Sequence, residues 1–278
     1  MARFLIATMP ITGHVNPGLP IARTLVERGH EVCWYTGQKF RTAVQATGAR
    51  YAPMQAAYDF DDRDMSAAFP SKVEPSNFLE QANWGLKRLF IDPVPGQVAD
   101  LQRILHEFRA DVLINETMFF GAEAVHNLGG PPWATFAIST LTINSRDAAP
   151  VTTGLPPSSS IAGRLRNHLL NVLIKQVLLR ESNHHMNYLR WTLGLPPLKH
   201  HLVDTLSPFL YMHSSTPAFE YPRSDLPPQV HFIGPLLPQP PMNFVQPAWW
   251  NDLQGSRPVV FVTQGTIATA AHDLIIPV

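Results

Sequence analysis

Short apolar, β-prone runs alternate with helical patterns along most of this chain, and that alternation restricts the fold more than any single motif does. Strands are predicted at 4–8, 32–36, 50–53, 112–115, 133–138, 209–213 and 231–233. Helices are predicted at 17–28, 39–47, 77–90, 94–108 and 119–128, with one long helix within 161–193. Strands that alternate with helices pair in parallel, and the crossover helices cover both faces of the sheet. The expected class is therefore α/β, a Rossmann-like parallel sheet with helices on both faces. The connection over 56–95 is long and has a helical pattern of its own. Connections of that length in compact domains usually carry function.

The exit of the first strand concentrates chemistry. Phe4-Leu5-Ile6-Ala7-Thr8 runs into a turn holding Gly13, His14 and Pro17, and a helical pattern starts at Gly18. Ligands of open α/β sheets bind at the carboxyl ends of strands. A histidine there can take a proton near neutral pH. The plainer alternative is a turn histidine bonded to backbone.

The segment Gly13-His14-Val15-Asn16-Pro17, then Leu19-Pro20, then Arg28-Gly29-His30-Glu31-Val32, resembles the family-one glycosyltransferases of the GT-B fold, especially the bacterial macrolide and antibiotic type. The resemblance runs along essentially the whole chain. It implies that His14 is the general base of an inverting, metal-independent transfer of a hexose from a nucleotide sugar to a hydroxyl of a small lipophilic acceptor. No cofactor is implied beyond the co-substrate, a UDP- or dTDP-sugar. In the family an aspartate orients the histidine, as the acid of a hydrolase triad does. The matching residue here is Glu116, at the end of Asp111-Val112-Leu113-Ile114-Asn115-Glu116. Glutamate is one methylene longer, so the contact needs a shifted backbone or a bent side chain. Asp111 precedes the strand and belongs at the far end of the sheet, and alternation turns Asn115 to the other face. Helix N-terminal capping is the plainer role for Glu116.

Gly13, Phe119 and Phe120 are the expected acceptor-binding residues, the two aromatics walling an apolar cleft. Phe90, Trp84, Met186 and Trp191 read mostly as core. Gln264-Gly265-Thr266 follows the apolar run 258–263. In light of the resemblance, Gly265 and Thr266 are donor-binding candidates for a diphosphate. The expected organisation is an acceptor-binding Rossmann-like domain over 1–233, a Pro-stiffened linker over 234–257, and the start of a nucleotide-sugar-binding domain over 258–278. On that reading the sequence looks incomplete and inactive alone, its missing donor domain to be supplied in cis or in trans. A non-catalytic acceptor-binding module, or half of a split enzyme, is the alternative.

Composition narrows the partners. With 278 residues the chain can bury one large core or two modest ones. The formal net charge is zero, so nothing draws it to nucleic acid or an acidic membrane. The 27 prolines fall mostly in connections. Cys33, the single cysteine, reads as a small buried hydrophobe. No apolar stretch reaches transmembrane length and no secretory signal is legible, so a cytoplasmic location is expected. A nicotinamide-dependent oxidoreductase is the weaker enzyme reading. Gly13 to Gly18 does not give Gly-x-Gly-x-x-Gly, and the second strand ends without the acid that would hold a ribose. Asp59-Phe60-Asp61-Asp62 reads as a solvated acidic loop, and the adjacent pairs His184-His185 and His200-His201 do not have zinc-site spacing.

Overall fold

The computed structural model describes residues 1–69, 78–239, 244–263, 272 and 274–276. Seven strands form one parallel sheet: β1 (Arg3–Ala7), β2 (Glu31–Thr36), β3 (Arg50–Pro53), β4 (Val112–Glu116), β5 (Trp133–Phe136), β6 (Leu210–His213) and β7 (Val230–Phe232). Their order across the sheet is β3-β2-β1-β4-β5-β6-β7. The order reverses at β1, so the exits of β1 and β4 lie side by side at the switch point, where such sheets form crevices. Register places Ala7 beside Asn115, and Glu116 beside Phe136, which in turn stands beside Met212.

Alternation along the strands builds two cores. Leu5, Cys33, Tyr35 and Leu113 face one side, and Ile6, Trp34, Ile114 and Phe136 the other. Among the described residues the α-helices run in chain order α1 (Thr12–Val15), α2 (Gly18–Glu27), α3 (Arg41–Gln45), α4 (Met65–Ala68), α5 (Phe78–Leu86), α6 (Val94–Phe108), α7 (Gly121–Asn127), α8 (Ile161–Leu173) and α9 (Arg180–Thr192); α6 covers the first side, and α2 and α3 the second. Gly18 allows α2 to sit close to β2, because a Cβ there would lie 2.8 Å from the Trp34 ring. Trp34 itself is held by its indole N–H, which donates to Thr8 Oγ1 at 3.0 Å. Cys33 is fully buried, and burial pushes its thiol up to about 11.

Asp100 of α6 pins the exit of β3. It accepts the backbone N–H groups of Gln55, Ala56 and Ala57 and the Tyr35 hydroxyl. These donors outweigh the burial that by itself favours the neutral acid, and hold the carboxyl below its ordinary value.

Three expectations of the fold are corrected. The long helix within 161–193 is two helices, α8 (Ile161–Leu173) and α9 (Arg180–Thr192). A wide π-type turn over Ile174–Leu178 joins them, and Leu179 leaves helical geometry. Past the break, α9 meets the segment 78–86, where Ser182 Oγ donates to Asn83 Oδ1 at 2.6 Å. The strand expected over 258–263 is not formed: those residues have no strand pairing, and most are exposed. Trp191, read as core, is 71% exposed. Among the described residues no helix is long and apolar enough to cross a membrane.

Candidate active site

The chain leaves β1 through Thr8 to Ile11 and coils at once into a single helical turn, α1 (Thr12–Val15), which carries Gly13 and His14. That turn is anchored from below by the acidic loop. Asp62 Oδ2 accepts the Thr12 backbone N–H at 2.7 Å, and its other oxygen is in close contact with the Lys39 ammonium. Lys39 also donates to Thr12 Oγ1 at 3.2 Å. Burial favours the neutral form of Asp62, but Lys39 and Thr12 together hold its carboxyl below the ordinary value. The loop is thus not a solvated acidic face: Asp62 is 6% exposed. Asp61 is bound by Arg63 and Lys39, and Asp59 accepts the Gln38 N–H.

Glu116 is the last residue of β4 and is wholly buried. Its Oε1 lies 3.0 Å from His14 Nδ1. The approach is close but not that of an in-line hydrogen bond, and among the described residues neither atom has another partner. Oε2 accepts the backbone N–H of Met118, two residues on, so the carboxylate is fixed at both oxygens. Glu116 is therefore not a helix cap: the helix after β4 starts at Gly121 with Phe120 at its N-cap and no side-chain cap, and Oε2 instead ties the turn before it to the strand end. The opposite face of the imidazole stacks on Phe90, with centroids 5.6 Å apart and rings inclined by 20°. Phe90 comes from the long 56–95 connection, which thereby contributes to the site. Among the described residues His14 Nε2 has no protein partner.

Asn115 points to the other face, as alternation requires. Its amide donates to the Glu116 and Phe119 carbonyls and accepts from Thr135 Oγ1, so it shapes the turn after β4. Asp111 accepts the Arg3 N–H at the amino end of the sheet.

A cavity of about 500 Å³ lies against the turn that follows β4. Thr117, Met118 and Phe120 form one wall, and the chain over 140–155, the break after α8 and the segments 202–205 and 219–223 form the rest. Phe120 is on the wall, but Phe119 is not: it is 1% exposed and packs edge-on to Tyr35 in the core. Gly13, His14 and Glu116 do not line the cavity; Thr117 and Met118, which follow Glu116 in the chain, do. Gly265 and Thr266 lie outside the described residues. His185 pairs with Asp92 at 2.7 Å and His200 with Glu123 at 3.2 Å.

Sequence reasoning missed Asp62 as a partner of the histidine turn, Phe90 as its stacking ring, and Glu220 and Arg223 on the cavity wall. The acidic cluster was visible, but its ion pairs and its depth depend on how the loop folds back.

No family model matches the chain. It is 44% identical over 278 residues to 4'-demethylrebeccamycin synthase of Lentzea aerocolonigenes, a match covering 99% of this chain and 66% of that protein. It is 34% identical over 295 residues to UDP-glycosyltransferase 2 of Phaeomoniella chlamydospora, covering 98% and 63%. Among solved structures it is similar to the glycosyltransferase of kitacinnamycin, with a TM-score of 0.61, 19% identity, and coverage of 89% of this chain and 55% of that one. The calicheamicin glycosyltransferase gives 0.57, 16%, 84% and 53%. At such identities the structural likeness speaks for the fold alone. The chain spans about two thirds, or slightly less, of the length of these curated relatives.

Proposed function

Because the chain belongs to the family-one glycosyltransferases of the GT-B fold, we propose that it supplies the acceptor site and the catalytic base for sugar transfer to a small, largely apolar acceptor. The observation that carries this reading is the 3.0 Å approach of Glu116 Oε1 to His14 Nδ1. A carboxylate on Nδ1 favours the tautomer with the proton on that atom and leaves Nε2 as the base. Nε2 takes the proton of an acceptor hydroxyl while the oxygen attacks C1 of the sugar. The bond from C1 to the diphosphate oxygen breaks, and the nucleoside diphosphate leaves. A single displacement of this kind inverts the anomeric centre. The buried carboxylate stabilises the imidazolium that forms, and Phe90 keeps the ring from swinging.

The donor is a nucleotide sugar, UDP- or dTDP-linked, and the reaction itself draws on no metal. The relatives named above act, by their names, as a rebeccamycin-type synthase and a UDP-glycosyltransferase, which supports the substrate class. We further propose the division into an acceptor domain over 1–233, a linker over 234–257 and a donor-domain segment from 258, with Gly265 and Thr266 toward the diphosphate, and a cytoplasmic location. Alone, this chain is expected to turn over slowly. The test joins it to the remaining third of the Lentzea relative and assays nucleotide sugars with phenolic acceptors. His14→Ala is expected to lower kcat by about 10²–10⁴ with the fold intact. An unchanged rate with an unchanged melting curve refutes the base assignment.

A further inference from the structure

We propose that Glu220 reads the end of the acceptor remote from the group that reacts at His14, accepting a hydrogen bond there from a neutral O–H or N–H. The inference rests on the reading of the cavity as the acceptor site.

Three observations lead to it. The first is position. Glu116, Phe136 and Met212 stand side by side on β4, β5 and β6, and His213 follows Met212 as the last residue of β6. Two strand spacings, about 10 Å, thus separate the backbones of Glu116 and His213 along the carboxyl edge of the sheet. One cavity is lined by Thr117, Met118 and Phe120, which follow Glu116 in the chain, and by Glu220 and Arg223.

The second is the state of the carboxylate. Glu220 Oε1 lies 2.7 Å from Nε2 of the wholly buried His213 and accepts the Leu141 N–H at 3.1 Å. Both contacts fall on one oxygen. Oε2 has no protein partner among the described residues, although the side chain is only 6% exposed. A carboxylate oxygen in such a place has lost most of its water and binds a donor more strongly than a surface carboxylate does.

The third is the charge around it. The Arg223 guanidinium gives its two terminal N–H groups to the carbonyls of Ile143 and Leu141, at 2.6 and 2.7 Å. Glu220 accepts the Leu141 N–H and Arg223 donates to the Leu141 carbonyl, so the two charges are neighbours. With one cation already beside Glu220, a second on the acceptor is repelled, and a neutral donor is selected. The other charged pair on the wall, Lys175 with Asp204, is bound to itself and does not compete.

The cavity therefore fits an extended apolar framework about two or three rings long, with a hydroxyl or N–H at each end. Two probes test this on the chain itself by calorimetric titration, without turnover: a biphenyl with a hydroxyl at each end, and its monomethyl ether. The wild type is expected to bind the diol about 10-fold or more tightly than the ether, beyond the statistical factor of a symmetric diol. Glu220→Gln keeps the shape and an acceptor for Leu141, so it folds, and it is expected to lose most of that preference. Equal affinities in the wild type, or the same preference in folded E220Q, overturn the proposal. Binding of neither probe overturns the cavity as the acceptor site, whereas the base assignment stands or falls separately on the His14→Ala rates.

Discussion

Asp62 closes on the backbone N–H of Thr12 at 2.7 Å, two residues before His14, and so fixes the first turn of the helix that presents the imidazole. The sequence separation is large and the contact is charge-assisted through Lys39, so it braces the site across two loops. Hydrogen bonds to charged groups contribute about 1.5–3 kcal/mol, and the loss is felt in full when a buried donor is left without a partner. Asp62→Ala is expected to cost about 2–3 kcal/mol in urea unfolding, and Asp62→Asn less, since its amide oxygen can still accept from Thr12. Overlaying unfolding curves for wild type and D62A would show that the loop does not brace the turn.

Glu116→Gln keeps the volume and removes the charge that stabilises imidazolium. In the chain joined to a donor half, kcat is expected to fall by about 10²-fold or more while acceptor affinity, measured by titration, changes little. Loss of affinity with an unchanged kcat would make Glu116 a binding residue instead.

Acid stability follows from the buried and paired carboxylates. Hydrogen bonds from Ser224, with Arg164, hold Asp147 at about 2, below its ordinary 3.8, and Asp62 and Asp100 are shifted the same way. A depressed folded-state value contributes stability above the unfolded value, and that stability is lost as pH falls through the folded value. Melting temperature is therefore expected to hold above about pH 4 and to drop between about pH 4 and pH 2. Asp147→Asn should flatten part of that drop, and a variant with the wild-type slope would remove Asp147 from the account.

Gly18→Ala and Gly85→Ala should differ in sign. A methyl at Gly18 meets two Trp34 ring carbons at 2.8 Å, and the ring is held by its bond to Thr8. Overpacking of this kind costs about 1–3 kcal/mol, which exceeds the gain of about 1 kcal/mol from removing a helical glycine. At Gly85, in α5 (Phe78–Leu86), a methyl meets nothing within 4 Å, so only the gain remains. Equal effects of the two substitutions in chemical unfolding would contradict the packing argument.

The seven strands and the helix Val94–Phe108 were legible in the sequence because each is a local pattern: β-prone apolar runs bounded by turn residues, and an apolar stripe at helical spacing. His14 and Glu116 were legible as strand-exit residues for the same reason, since the end of a strand is a position in the sequence. The break at Leu179 was not, because nothing in residues 161–193 by themselves stops a helix there; it is set by Asn83 and Asp204, distant in sequence, which hold Leu178 and Lys175. Likewise, Phe119 and Phe120 are indistinguishable as neighbours in sequence, and only the packing of Tyr35 against one of them sends it to the core and leaves the other on the cavity wall. The sequence by itself determined a parallel α/β sheet and which residues stand at its carboxyl edge, because periodicity and turn chemistry act over a few residues. Tertiary structure alone decided that Asp62 braces the histidine turn, that Phe90 stacks on the ring and that Glu220 closes the cavity, because each is a contact between segments that the chain brings together only when the sheet is complete.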